Sequence, residues 1–241
     1  MISLIIPTFN EEACIVSTLS TLRDFLQKNF PESEIILVDD GSQDGTARVA
    51  RDWIVKQSGT CKIHLIQNKD HRGKGYCIRK GMQAAQSKFR IFMDADLPYR
   101  LSVINEMLEV LQKGGQVAIG NRNDPRSLLP QIRPVRLITG RIYSLFVQMF
   151  ATHGISDTQC GVKGFSSKAA EFIFSRATID GFGFDVEALF IAQKHGLKIE
   201  KLPVEMSNNR EDSRVRLFRD SFQMFLNLFT IRLNDLRGIY N

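Results

Sequence analysis

A chain of 241 residues is long enough for one large α/β domain or two small ones, and 43% hydrophobic and 24% charged side chains are ordinary for a globular protein with a real core, which excludes a disordered or fibrous protein. Its formal charge of +6 favours anionic partners, whether phosphate-rich substrates, an acidic membrane surface or nucleic acid. Cys14, Cys61, Cys77 and Cys160 are scattered, with no C-x-x-C, which argues against a zinc site or a disulfide framework and fits a reducing compartment.

Met1 is followed by Ile2-Ser3-Leu4-Ile5-Ile6-Pro7, too short for the apolar core of a signal peptide. That run reads as a first strand over residues 2–6. Further strands are predicted over 34–38, 62–66, 89–93 and 116–119. Amphipathic helices over 11–27, 46–56, 74–85 and 101–112 lie between them. Such alternation predicts βαβ units and a mainly parallel central sheet flanked by helices. The second half is less regular. A basic loop and helix occupy 121–151, and 157–165 adds a strand. A helix over 185–194 follows Gly181-Phe182-Gly183-Phe184, a strand over 198–206 is broken at Pro203, and a long amphipathic helix covers 217–236. No linker rich in Pro, Gly and Ser separates the halves, so a single domain over 1–241 is expected. No stretch approaches the roughly 20 apolar residues that cross a bilayer. Membrane contact is therefore expected to be peripheral.

The polar residues concentrate where the strands end. The first strand ends in Pro7-Thr8-Phe9-Asn10-Glu11-Glu12 and the second in Asp39-Asp40-Gly41-Ser42-Gln43-Asp44-Gly45-Thr46. The third is followed by Asn68-Lys69 and then Arg72-Gly73-Lys74-Gly75, and the fourth by Asp94-Ala95-Asp96. In a parallel sheet these C-terminal ends share one edge, where open α/β sheets bind ligands. Two carboxylates flanking a small residue suit a hard divalent cation that keeps positions open for substrate phosphates. Asp39 and Asp40 can accept the N–H of a nucleobase, and the helix start at Thr46 favours anions. Singly, each segment is as well explained as a turn or a cap; four on successive strand ends are not. The glycine pattern of dinucleotide-binding folds and the P-loop are both absent, as are H-E-x-x-H and G-x-S-x-G.

Taken together, Ile5-Ile6-Pro7-Thr8-Phe9-Asn10-Glu11-Glu12, Val38-Asp39-Asp40-Gly41-Ser42, Gly73-Lys74-Gly75 and Met93-Asp94-Ala95-Asp96 resemble the family 2 glycosyltransferases of GT-A fold. Asp157-Thr158-Gln159-Cys160-Gly161-Val162-Lys163 and Phe184-Asp185-Val186-Glu187 narrow the resemblance to the polyprenyl-phosphate sugar transferases. The dolichyl-phosphate glucosyltransferase branch is nearest and the mannose synthase branch second. The resemblance implies a nucleotide-sugar half over 1–120 and an acceptor half over 121–241. It implies that Pro7, Phe9, Glu11 and Asp39 or Asp40 hold the base and ribose, and that Lys74 lies near the donor. Asp94 and Asp96 would position Mg2+ or Mn2+ on the diphosphate. Asp96, Arg122 and Asp185 are the expected catalytic residues; Arg122, Lys163, Arg210, Ser213 and Arg214 are the expected phosphate and acceptor contacts. Phe9 departs from the family's usual Tyr, and Gly183 stands where the glucosyltransferases carry Trp.

The expected reaction moves a hexose, with inversion, from a nucleotide sugar to a polyprenyl or dolichyl phosphate at the cytoplasmic face of a membrane. UDP-glucose is favoured as donor over GDP-mannose. A phosphate monoester is largely a dianion near neutral pH and needs no general base; it needs cations, which Arg122, Arg126, Arg133, Arg136, Arg141, Lys163, Arg210, Arg214 and Arg216 would supply. The alternatives are a hydroxyl acceptor, with Asp185 or Glu187 as base, and a non-catalytic nucleotide-sugar-binding scaffold. No nucleic-acid partner is expected. The Arg-rich helix over 132–150 is expected at the membrane interface. The stripe Phe218, Phe222, Phe225, Phe229, Leu233 and Leu236 is expected to face the core or a second copy in a homo-oligomer.

Overall fold

The computed structural model describes residues 1–130, 134–207 and 217–241, without the side chains of 134–139, 141, 142 and 217–222. Its first half alternates β1 (Ile2–Thr8), α1 (Ile15–Asn29), β2 (Glu34–Asp39), α2 (Thr46–Val55), β3 (Lys62–Gln67), α3 (Lys74–Ala84), β4 (Phe89–Met93) and α4 (Ser102–Gln112). The second half continues with β5 (Val117–Asn121), α5 (Pro134–Phe150), β6 (Val162–Ser166), α6 (Ser167–Arg176), α7 (Phe184–Lys194), β7 (Ile199–Pro203) and α8 (Leu217–Leu236).

The strands form one mixed sheet in the order β3-β2-β1-β4-β6-β5-β7. β1 pairs in parallel with β2 and β4, and β2 with β3. β6 is antiparallel to both β4 and β5, while β7 is parallel to β5. Every residue of β1 and β4 is buried, as continuous apolar strands are when helices cover both faces. Alternate residues feed two cores. Ile5, Ile36, Val38 and Phe92 face a cluster with Ile78, Ile173 and Leu189, while Leu4, Ile6, Leu37 and Ile91 face another with Leu19, Leu22 and Ile104.

Three details differ from expectation. The first helix starts at Ile15, because Asn10 takes φ 53° and residues 11–14 form a turn that satisfies the backbone N–H of Cys14 and Ile15. The helix α6 was not anticipated; Ser166 caps it, accepting the Ala169 N–H, and Ala169, Ala170, Ile173 and Phe174 make its buried face. Finally, Phe229, Leu233 and Leu236 of α8 point outward, away from the core, which is one of the two placements expected for this stripe. The buried face is Met224, Leu228 and Ile231.

Candidate active site

The C-terminal ends of β1, β2 and β4 converge on one edge, and Asp94-Ala95-Asp96 leaves the sheet there. The Asp94 N–H donates to Gly161 O at 3.1 Å. The carboxylate then lies so close over Gly161 that a Cβ at that position would collide with it. Lys74, at the first turn of α3, brings its Nζ 2.5 Å from Asp94 Oδ1. Gly73 before it has φ 115°, a conformation open to glycine. Burial opposes the charge of Lys74, yet Asp94 and Asp185 hold its ammonium above the ordinary lysine range.

Asp185 is buried on the first turn of α7, its Oδ1 2.5 Å from Lys163 Nζ. Lys163 is fully buried on β6, also donates to Cys160 O at 2.8 Å, and lies 5.3 Å from the centre of the Phe92 ring. Burial raises the Asp185 carboxyl above its usual range despite the two lysines. Burial also raises Asp96, reinforced by repulsion from Asp94 and Glu11 and eased by Lys74. The expectation of a phosphate-contacting Lys163 meets a different geometry: a lysine with no solvent exposure reaches the site only through Asp185.

The neighbouring turn is organised differently. Asp40 accepts from Gly73 N at 2.7 Å, Arg72 N at 3.0 Å and Asn68 Nδ2 at 3.1 Å, and pairs with His71 Nδ1 at 2.8 Å. Its carboxylate is thereby committed to the segment that leads into Lys74. Asp39 accepts the N–H and hydroxyl of Ser42. The Phe9 ring stacks on His71 with centroids 4.1 Å apart and planes tilted by 31°. Pro7 is buried within β1. Glu11 donates its N–H to Thr46 Oγ1 at 2.7 Å and accepts the Cys14 thiol at 2.9 Å.

Arg122, just past β5, forms a fork on Asp157, with Nε to Oδ2 at 2.9 Å and Nη2 to Oδ1 at 2.7 Å; its backbone N–H adds a bond of 2.8 Å. Against the cost of burial, this pair holds the guanidinium well above its usual range and Asp157 below the ordinary carboxylate range. Arg210, Ser213, Arg214 and Arg216 lie outside the described residues, as do the side chains of Arg133, Arg136 and Arg141. From sequence Asp157 and Gly161 carry no assigned role, and His71 is expected only at the surface or in packing. The first two belong to the Asp157–Lys163 motif, and His71 precedes the glycine-flanked lysine, so position in a motif was the available signal.

The donor set fits a hard divalent cation. Asp94 and Asp96 offer oxygens, and the repulsion that disfavours the ionised Asp96 is what a cation would relieve. Among the described residues no three His, Cys, Asp or Glu side chains cluster into a closed metal cage. Two carboxylates are what a cation completed by substrate phosphates requires.

A mixed sheet with this edge is the framework of a nucleotide-sugar-dependent transferase, and the comparisons define the class. Residues 3–174 match the family model described as Glycosyl transferase family 2, and the chain belongs to that family. More particularly, it is similar to the dolichyl-phosphate beta-glucosyltransferase of Dictyostelium discoideum, 31% identical over 99% of this chain and 76% of that protein. It is equally similar to the Homo sapiens dolichyl-phosphate beta-glucosyltransferase, 31% identical over 99% of this chain and 77% of that one. Among solved structures, glucosyl-3-phosphoglycerate synthase from Mycobacterium tuberculosis in complex with Mn2+, UDP and phosphoglyceric acid superposes with a TM-score of 0.69 at 17% identity. It covers 96% of this chain and 78% of that one. This likeness is one of fold, the GT-A arrangement.

Proposed function

We propose that the chain transfers glucose from UDP-glucose to a dolichyl or other polyprenyl phosphate, with inversion at the anomeric carbon. The family supplies the glycosyl-transfer chemistry, and the relatives named as dolichyl-phosphate beta-glucosyltransferases support the sugar and the acceptor. The observation that carries the reading is the state of Asp185. The side chain is buried and its Oδ1 is paired with Lys163, so it is poorly exposed to take a proton from a hydroxyl acceptor. An acceptor phosphate dianion requires no such base.

Asp39 accepts the base N–H, with Pro7, Phe9, Glu11 and His71 shaping the base and ribose pocket. Asp40 serves the same pocket by fixing the segment 68–73. Asp94 and Asp96 would hold Mg2+ or Mn2+, which when bound supplies charge neutralisation of the departing diphosphate. Lys74 stands beside them as a fixed cation for the same phosphates. Arg122, aimed by Asp157, meets the acceptor phosphate, together with Arg210, Ser213 and Arg214. Preorganised charge of this kind supplies the larger part of such a rate.

The acceptor is a lipid, so the enzyme works at a membrane surface. Leu145 and Met149 of α5 and Leu226, Phe229 and Leu233 of α8 are exposed apolar side chains on helices joined through the Phe146–Phe225 and Phe150–Phe229 contacts. That face suits insertion at a bilayer interface, and no helix among the described residues is long and apolar enough to cross one. The test is a donor screen with Mg2+ or Mn2+, scored by transfer to a short polyprenyl phosphate. UDP-glucose is expected to win. Preference for GDP-mannose would move the reading to a mannosyltransferase, and transfer to a hydroxyl acceptor alone would overturn it.

A further inference from the structure

Glu187 lies two residues after Asp185 on α7 and is fully buried. The mechanism above makes no use of it. Its Oε1 accepts from Thr178 N at 2.9 Å, Thr178 Oγ1 at 2.7 Å and Tyr240 Oη at 2.6 Å, and its Oε2 from Ile179 N at 2.9 Å. Asn234 of α8 joins the group, donating to Thr178 Oγ1 and Tyr240 Oη at 3.0 and 3.2 Å. Tyr240, in the turn after α8, is also fully buried. A buried carboxylate is tolerated only when donors surround it, and here the donors pin the short segment 178–180 between α6 and α7.

That segment is the wall on which the donor-site lysine is built. Asp180 O accepts the Tyr76 N–H at 3.1 Å, and its carboxylate ties down Arg72 at 2.9 Å and also Arg79. Gly73 packs against Asp180 O, and Gly75 against Ile179 O and Phe184, so closely that neither position has room for a Cβ. Between these two glycines stands Lys74, 2.5 Å from Asp94. A shift of the 178–180 backbone is therefore passed directly to the lysine, because interfaces packed this closely do not absorb displacement.

We infer that Glu187 is a positioning residue for Lys74 and that Tyr240 completes it, so the turn after α8 sets donor affinity from behind the site. The inference rests on the reading of Lys74 as a contact of the nucleotide diphosphate. The experiment measures binding of UDP with Mn2+ by calorimetry, together with melting temperatures, for the full chain. The proteins are the wild type, Tyr240→Phe, Glu187→Gln, the double variant, and Ile2→Val as a control in the other core, at the start of β1 far from the site. Tyr240→Phe is expected to weaken binding about five-fold, a part of what a hydrogen bond to a charged group is worth, because the displacement reaches Lys74 only through the 178–180 backbone. It should add less once Glu187→Gln is present, since the amide oxygen still accepts the hydroxyl but the charge is gone and the two residues act through one another. Ile2→Val should lower the melting temperature and leave the affinity as it was. An unchanged affinity in Tyr240→Phe, alongside a lowered melting temperature, makes the network purely structural and overturns the inference. So does a Tyr240→Phe effect that persists undiminished in the Glu187→Gln background. If Glu187→Gln does not fold, Asp180→Asn replaces it as the background. Failure of the wild type to bind UDP with Mn2+ overturns the donor-site reading itself, and is told apart because it precedes any variant.

Discussion

Two groups of aspartates lie near the same sheet edge and are stabilised in opposite ways. In the turn after β2, Asp39 and Asp40 are met by N–H and O–H donors from their own loop and from residues 68–73. Around the end of β4, Asp94, Asp96 and Asp185 are met chiefly by two lysines and by one another's charge, and burial pushes the carboxyls of Asp96 and Asp185 upward. In the first group Asp40 is satisfied within the protein, while each oxygen of Asp39 meets one donor from Ser42 and can accept another. The second carries electrostatic tension that a bound cation and its phosphates would relieve. Identical side chains thus differ by their surroundings: the donors of residues 68–73 tie Asp40 to a loop, whereas Asp94 and Asp96 keep charge that a cation would balance.

The comparison breaks hardest at Lys163. Lys163→Met leaves Asp185 buried beside Asp94 without its partner, and removing one member of a buried pair costs about 3–5 kcal/mol. Chemical denaturation should register that loss, and adding Asp185→Asn should recover much of it. If Lys163→Met were as stable as the wild type, the pair would not be what holds this cluster. Asp96→Asn comes next. Transfer should fall by roughly 10²–10³, the range for removing one preorganised electrostatic contact. The metal-free protein should be no less stable, because the replaced carboxylate was repelled by its neighbours. A variant that kept transfer within a few-fold of the wild type would take Asp96 out of the metal site.

Asp40→Asn probes the satisfied group and should have a smaller effect. An amide nitrogen would face the Gly73 or Arg72 N–H in place of an acceptor. Leaving such a donor unmet costs about 1–3 kcal/mol. The loss should appear in stability and in the affinity for UDP together, since the loop it holds leads into Lys74. Weakened affinity at undiminished stability would return Asp40 to the role of a direct base contact.

Much of this edge was legible in the sequence. β1, β2 and β4 read correctly because runs such as Ile2-Ser3-Leu4-Ile5-Ile6 are buried on both faces, and the edge strand β3 because Lys62-Ile63-His64-Leu65 alternates; parallel order then brings their polar ends together. The direction of β6 was not legible, since alternation carries no sign. Nor was α6, whose buried face opens with the small Ala169 and Ala170, a weak hydrophobic signal. The burial of Lys163 was not legible, since a lysine is by default exposed. The partner that buries it lies 22 residues further on. Asp39 and Asp40 were indistinguishable as neighbours in one turn; the donors that separate them come from residues 68–73, which only tertiary structure brings back.

The smallest effect concerns Asp157, a carboxylate of the second half that resembles the satisfied group because Arg122 and a backbone N–H surround it. These partners hold its carboxyl below the ordinary range against the cost of burial. The folded-state value is depressed, so its stabilisation is fully present above the ordinary carboxyl pKa of about 3.9 and is lost as pH falls through the folded value. One proton is taken up, which limits this contribution to a slope of about 1.4 kcal/mol per pH unit. Denaturant midpoints taken from pH 6 downward should therefore fall more steeply below about pH 4 in the wild type than in Asp157→Asn. The variant is less stable at neutral pH, because Arg122 has lost its fork, so slopes and not absolute values carry the comparison. Parallel slopes would mean that Asp157 is no better held in the folded chain than in the unfolded one. Arg122 would then be free to swing between phosphates instead of being aimed at one.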